Sequence, residues 1–360
     1  MTDLTRRNQI PVVHNPVSLS HNPPYEVLSG CFQPYQESPE RYHRILKALL
    51  DDPQARYLEH KISLNGGEID TDELDRAIGR VHDREYLDFL REIYVEWVNE
   101  GGSKDAVLPE SFLRNDVLLE SSLPSNVNQS AIARTGRFSF DLSAPITADT
   151  RVAALASALV AITASRILAD DSTLRASFAL CRPPGHHATP GLCGGYCYLN
   201  NVAIAVRDYQ DRCTGTSPSS LDEKPKVAIL DIDYHHGNGT SKVFYNDPSV
   251  LYVSLHGSPD YPYYTGSSHE RGGPQAQDLN LNFPLPLGTG DAQYVSMLQE
   301  ATNAIDHFEP ELVFVSLGVD TFVDDPLTQF ELTLDVYPRI GETIARLGKR
   351  TVFILEGGYC

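Results

Sequence analysis

The chain has 360 residues, 41% of them hydrophobic, which is enough for one large α/β domain or two ordinary ones with a normal core. Lys and Arg number 29 against 48 Asp and Glu, and the resulting net charge of −19 argues against nucleic acid as a direct partner, because a polyanion is repelled. The same charge attracts a small cationic substrate or a basic peptide tail, and it serves solubility equally well.

The N-terminal M-T-D-L-T-R-R-N-Q lacks an apolar core, so no secretory leader is read there. Residues 1–36 are rich in Pro, Asn and His and read mostly as loop, with Val12-Val13-His14 as a first strand. Ser38-Pro39-Glu40-Arg41 has the pattern of a helix start, Ser as cap and Pro at the first helical position. That helix continues through Ile45, Leu46, Leu49 and Leu50. The stretch 71–98 reads as one helix, with Thr71 as its cap, Asp72 and Glu73 in its first turn, and Gly101-Gly102 after it. Tyr86, Leu87, Leu90, Ile93 and Tyr94 share one of its faces. Residues 103–149 read as irregular, with turn signals at Pro124 and Ser125, and are the best candidate for a functional insertion.

An Ala-rich helix is read over 150–168, a short strand over 177–181, a helix over 200–209 and a polar surface linker over 215–225. From there strands at 227–230, 250–255, 312–317 and 351–355 alternate with helices at 291–308 and 337–347. This alternation predicts an α/β chain with three layers, α/β/α, around a mainly parallel sheet. No repeat or boundary divides it, so 1–360 is read as a single domain. Six cysteines in so long a chain make no disulfide framework, and Cys193 and Cys197 lack the second pair of a zinc knuckle. Reduced thiols suit a cytoplasmic or nuclear protein, and no apolar run approaches membrane-spanning length.

Four polar or glycine clusters stand where strands end, the place where open α/β sheets bind their ligands. The sharpest is Asp231, Asp233 and His235, at alternate positions after a buried apolar run, so that an extended chain points them the same way. His186 and His187 follow Arg182-Pro-Pro-Gly and suit acid–base chemistry near neutrality. Asp320 follows the strand at 312–317, and Glu356-Gly357-Gly358-Tyr359 follows the last one. A tyrosine hydroxyl there can donate to a developing oxyanion, although a tyrosine after Gly-Gly is ordinarily packing. Asp233, His235 and Asp320 together would make an open three-ligand metal site with room for water. Zinc fits such a set, and its oxygen-rich composition also suits Fe(II) or Mn(II).

The runs R-P-P-G-H-H-A, G-G-Y-C-Y-L-N-N-V-A-I-A, L-D-I-D-Y-H-H-G-N-G-T, L-G-V-D-T and E-G-G-Y resemble the zinc-dependent histone deacetylase superfamily, which shares the arginase α/β fold. The resemblance extends from about Ser38 to Tyr359. It implies one zinc per chain, held by Asp233, His235 and Asp320, with His187 as the general base that also protonates the leaving amine and His186 in an electrostatic role. It further implies that Tyr359 binds the carbonyl oxygen opposite the metal. Asp231 and Asn238 would orient the two histidines, and Gly195, Tyr196 and Gly358 would contact the substrate. A structural potassium ion is implied near Asp231, Asp233, His235, Ser254 and Leu255. Gly237 and Gly318 stand where the arginases carry further carboxylates, which argues for one metal ion and against arginase chemistry.

Within the superfamily, Tyr261-Pro-Tyr-Tyr-Thr-Gly266, His269-Glu-Arg-Gly272, Phe138-Ser-Phe-Asp141, Pro145-Ile-Thr147 and Asp324-Asp-Pro326 look like acetylpolyamine amidohydrolases. Asn238 resembles class II and bacterial-type members. The expected function is hydrolysis of an acetylated amine, acetylpolyamine first and protein acetyl-lysine second, with a deacetylase-like binding protein as the non-enzyme alternative. In that subfamily an insertion narrows the tunnel mouth and forms a homodimer. Here 103–149 is the rim candidate, with Glu110 either an acidic gate or a solvated loop carboxylate. The family pattern continues past the tyrosine into a helix, whereas this sequence stops at Cys360, so the loop of Tyr359 is expected to lack support and to sit loosely.

Overall fold

The stretch Val227–Asp231 is buried at every residue, and its side chains divide between two apolar clusters. Val227 and Ile229 enter one, Ala228 and Leu230 the other. A strand apolar on both faces belongs inside a sheet covered on both sides by helices. The computed structural model describes residues 9–64, 69–113, 130–214 and 224–360, and it has this architecture.

The strands are β1 Ile10–His14, β2 Glu26–Leu28, β3 Cys31–Gln33, β4 Tyr57–Lys61, β5 Ala176–Ala179, β6 Val227–Asp231, β7 Val250–Gly257, β8 Asn280–Leu285, β9 Leu312–Leu317 and β10 Thr351–Leu355. Eight of them form one sheet in the order β4-β1-β5-β10-β9-β6-β7-β8, and every neighbouring pair in it is parallel. β2 and β3 form a separate antiparallel hairpin.

The helices are α1 Pro39–Leu50, α2 Thr71–Gly79, α3 Arg84–Asn99, α4 Ala131–Phe138, α5 Thr150–Asp170, α6 Asn201–Thr214, α7 Asn238–Phe244, α8 Asp291–Phe308 and α9 Val336–Ala345. α2 to α6 cover one face of the sheet, where Leu159, Ile162 and Val202 meet Ile229, Phe314 and Val352. α8 and α9 cover the other, with Leu298 and Ile340 against Leu230, Val253 and Val315. α1 packs Tyr42, Ile45 and Leu46 beside Phe178 and Leu355.

Several sequence expectations are corrected by tertiary contacts. The helix read over 71–98 is two helices, and Asp70, not Thr71, caps the first by accepting from the Asp72 N–H at 3.4 Å. The break occurs where His82 turns inward and accepts from the Asn200 N–H at 2.9 Å. The stretch 103–149 is not wholly irregular, since it contains α4, whose Phe138 lies 4.8 Å from the Phe89 ring, and Val107 pairs with Ile146. Pro124, Ser125 and positions 215–223 of the linker lie outside the described residues. β4 reads Y-L-E-H-K and is mostly exposed, so it has no apolar signature and is defined by its pairing with β1. α5 is long and apolar enough to cross a membrane by length and composition, against the expectation that no run comes near that, but most of its residues are buried against the sheet.

Phe314 sits fully buried on β9 between two parallel neighbours. Phe314→Ala is expected to destabilise the fold by about 3–5 kcal/mol, seen as a lower chemical-denaturation midpoint by circular dichroism.

Candidate metal centre and active site

The four strands whose ends carry polar clusters are dispersed in sequence but consecutive in space: β5-β10-β9-β6, at the middle of the sheet. Because they run parallel, their C-terminal ends lie along one edge. His186 and His187 come from the loop after β5, Asp231 to His235 from the end of β6, Asp320 from beyond β9, and Glu356 to Tyr359 from beyond β10.

Asp233, His235 and Asp320 converge there, one ligand atom from each lying within 4.8 Å of the others. The His235 Nδ1 atom is 3.2 Å from Asp233 Oδ1 and 3.1 Å from Asp320 Oδ2. The carboxylates are held from outside: Asp233 accepts from the His235 N–H at 2.9 Å and the Gly357 N–H at 2.8 Å, and Asp320 from the Tyr234 N–H at 2.9 Å. Burial and then the charge of Asp233 push the Asp320 acid up to about 7. Burial disfavours charge on His235, but the two carboxylates outweigh it and raise the imidazole to about 10. Two buried carboxylates and one imidazole nitrogen facing a common point fit a divalent cation. A Cβ at Gly318 would overlap the Asp233 carboxylate, and one at Gly237 the Asp231 carboxylate, so neither position has room for a further carboxylate ligand.

The two histidines differ in their partners. The His186 Nδ1 atom is 3.2 Å from Asp231 Oδ2. Burial lowers the pKa of this imidazole, but Asp233 and Asp231 overcome that and hold it up to about 10. The His187 Nδ1–H donates to the Asn238 Oδ1 atom at 2.7 Å, because an amide oxygen only accepts. The other nitrogen, Nε2, is therefore left with its lone pair. Burial, followed by the positive charges of His186 and His235, pushes His187 well below the ordinary imidazole value, so it is neutral.

Glu356 supports this pair. Its buried carboxylate accepts from the Gly185 N–H at 2.6 Å, the His186 N–H at 3.1 Å and the Ser316 hydroxyl at 3.3 Å. It stands in the fourth cluster of the sequence, but nothing in the sequence shows that it reaches the histidine loop.

The Tyr359 loop has supports from upstream that the sequence does not reveal. The Arg41 guanidinium, on α1, donates to the carbonyls of Glu356, at 2.7 Å, and Gly358, and lies 4.9 Å from the Tyr359 ring centroid. Asp325 accepts from the Tyr359 N–H at 2.7 Å. Tyr359 packs edge-on against Tyr196 at 5.4 Å. Behind Tyr196, buried Glu26 accepts from its hydroxyl at 2.7 Å. Gly195 has the positive φ of +54° that favours glycine and lies against His187. Ser254 and Leu255 are buried on β7, where Ser254 pairs in register with Asp231. Glu110 stands exposed on the described part of 103–149.

The histone deacetylase domain family matches residues 35–360. The chain is 40% identical to acetylpolyamine amidohydrolase 1 of Pseudomonas aeruginosa over 93% of its own length and 89% of that protein. It is 38% identical to acetylpolyamine amidohydrolase 2 of the same organism, over 94% of this chain and 91% of the relative. The crystal structure of an acetylpolyamine aminohydrolase from Burkholderia pseudomallei superposes with a TM-score of 0.84 at 32% identity, covering 98% of this chain and 94% of that one.

Metal binding must expel the protons that His235 and Asp320 retain in the metal-free protein, since their pKa values are raised to about 10 and about 7. Zinc affinity is therefore expected to rise from pH 6 to pH 8 with proton release on uptake, measured by calorimetry in buffers of different ionisation enthalpy. Asp320→Ala is expected to abolish tight binding in the same experiment.

Proposed function

The chain belongs to the histone deacetylase domain family, and from that premise we propose that it hydrolyses the amide of an acetylated amine, with acetylpolyamines as the substrate class. The observation that carries the reading is a cation-ready cradle, Asp233, His235 and Asp320, beside a neutral histidine with a free Nε2. The substrate class is supported by near full-length similarity to acetylpolyamine amidohydrolases and by a net charge of −19. Buried carboxylates behind the site aromatics, such as Glu26 at Tyr196, add local negative potential for a cationic chain.

Zinc is the proposed occupant of the cradle; when bound it supplies Lewis-acid polarisation of the acetyl carbonyl and acidifies water. The remaining steps belong to the chain. His187 Nε2 takes a proton from the attacking water as its oxygen bonds to the acetyl carbon. Asn238 holds the opposite side of that ring and fixes the tautomer. His186, kept cationic by Asp231 and Asp233, stabilises the negative charge that develops. The Tyr359 hydroxyl, kept protonated chiefly by burial, donates to the oxyanion. When the carbon–nitrogen bond breaks, His187 returns its proton to the departing amine, leaving acetic acid and the amine, and the acid's remaining proton then passes to the amine to give acetate and an ammonium ion.

Gly195, Tyr196 and Gly358 line the substrate path in this reading, and its rim and a homodimer contact are assigned to the insertion read at 103–149, of which 114–129 lie outside the described residues. A potassium ion near Asp231, Asp233, His235, Ser254 and Leu255 would help hold the ends of β6 and β7, where Asp231 and Ser254 are register partners.

With zinc-loaded protein, kcat/KM for acetylspermidine-type amines is expected to exceed that for an acetyl-lysine peptide. It should fall with added salt, since screening shortens to about 10 Å at 0.1 M. A salt-insensitive preference for the peptide would move the assignment to a protein deacetylase, and no turnover of either would leave a binding protein. His187→Ala is expected to lose roughly 100- to 10,000-fold in kcat while still binding zinc, and His186→Ala distinctly less, compared by steady-state kinetics and metal analysis.

A further inference from the structure

Asp141 belongs to none of the four strand-end clusters, yet it gathers more donors than most carboxylates among the described residues. It follows α4, within 103–149. Its Oδ2 atom accepts from the Tyr261 hydroxyl at 2.6 Å, the Gly195 N–H at 2.9 Å and the Ser143 hydroxyl at 2.9 Å. Its Oδ1 atom accepts from the Ser143 N–H at 3.1 Å. One carboxylate thus joins three loops: its own, the one after the tandem histidines, and the one after β7. Hydrogen bonds to an ionised acceptor are the strong ones, and they offset part of the cost of burying its charge, although burial still raises its pKa.

Both partners of Asp141 outside its own loop press on the reacting groups. The Tyr261 ring meets His187 edge-on at 5.1 Å and His235 edge-on at 5.7 Å. Gly195 is so close that an added Cβ would overlap the His187 ring and lie 2.8 Å from the Tyr261 hydroxyl. Tyr261, Gly195 and His187 therefore form a closed contact with no spare room, and Asp141 is the group that clamps it from behind.

We propose that Asp141 is a positioning residue that sets the width of the substrate path beside His187, and so selects slender acetylated amines over acetyl groups carried on bulkier backbones. It acts through Tyr261 and Gly195 and touches no reacting atom. Without the carboxylate, Tyr261 loses the bond that holds it to His187 and the wall can swing outward. The metal cradle and the His187–Asn238 bond do not involve Asp141, so the loss falls more on KM than on kcat. The inference rests on the proposed amide hydrolysis for its kinetic readout and on geometry alone for its binding readout.

The test compares zinc-loaded wild type with Asp141→Ala, Asp141→Asn, Tyr261→Phe and the Asp141→Ala/Tyr261→Phe double variant. Acetylputrescine and an acetyl-lysine peptide are the substrates. A straight-chain and a bulky-capped hydroxamate are the binding probes. Asp141→Ala is expected to raise KM for acetylputrescine about 10-fold, as for loss of a charged hydrogen bond, and to narrow the discrimination against the peptide by a similar factor. Asp141→Asn, which keeps an acceptor, should recover part of the loss. Tyr261→Phe should reproduce the change, and the double variant should be no worse than Asp141→Ala. If Asp141→Ala does not fold, Tyr261→Phe decides alone, because it removes a single oxygen. Unaltered discrimination in the folded variants, or additive losses in the double variant, would overturn the proposal. If the wild type hydrolyses neither substrate, the function reading fails, whereas the ratio of hydroxamate affinities still decides the role of Asp141.

Discussion

Everything at the functional edge of the sheet depends on keeping several carboxylates close together out of water. Asp231, Asp233, Asp320 and Glu356 are all buried at the ends of adjacent strands. Unpaired, each would cost several kcal/mol or give up its charge. The chain meets this with imidazoles between them and with backbone N–H groups from Gly185, His186, Tyr234, His235 and Gly357. The donors come from loops that follow different strands, so satisfying the carboxylates also fixes the loops relative to one another. A cation that displaces the protons held by His235 and Asp320 meets two carboxylates and a neutral imidazole, and that set is what draws it in.

The same economy appears one layer out. Buried Glu37 pairs with Arg41 at 2.6 Å and with Arg182 at 3.0 Å. Arg41 then reaches the carbonyls of the Tyr359 loop, and Arg182 the carbonyls of Ser18 and Glu37 at 2.6 and 2.8 Å. Such pairs contribute little net stability, because desolvation cancels most of the Coulomb gain, but removing one partner is costly. Their effect is to hold the α1 end, the N-terminal loop and the two strand-end loops in one geometry. A site built this way is arranged before substrate arrives, which is the condition for electrostatic stabilisation of a developing oxyanion.

Environment also divides labour between two identical side chains. His186 and His187 are neighbours with ring centroids 4.0 Å apart, yet one faces aspartates and the other an amide. The aspartates hold the first as a cation, while burial and the charges of His186 and His235 leave the second neutral. Pairs of titratable groups whose surroundings drive their pKa values apart mark acid–base assignments.

The sequence alone determined the α/β alternation, the both-faces-apolar strands and the residues Asp233, His235 and Asp320, because period-two patterning and strand-end polarity are local properties. Helices such as Asp291–Phe308 were legible to the residue for the same reason. The order β5-β10-β9-β6, which brings four separate clusters to one edge, is a matter of pairing and leaves no local mark. The exposed strand Tyr57–Lys61 was hidden because only its partner makes it a strand. Arg41, Glu26 and Asp141 were beyond reach as supports of the site, since each acts on residues from more than fifty to more than three hundred positions away. Motif chemistry is written locally, whereas the groups that hold it still are chosen by burial: only the folded chain decides which charge lies within hydrogen-bonding distance of which loop.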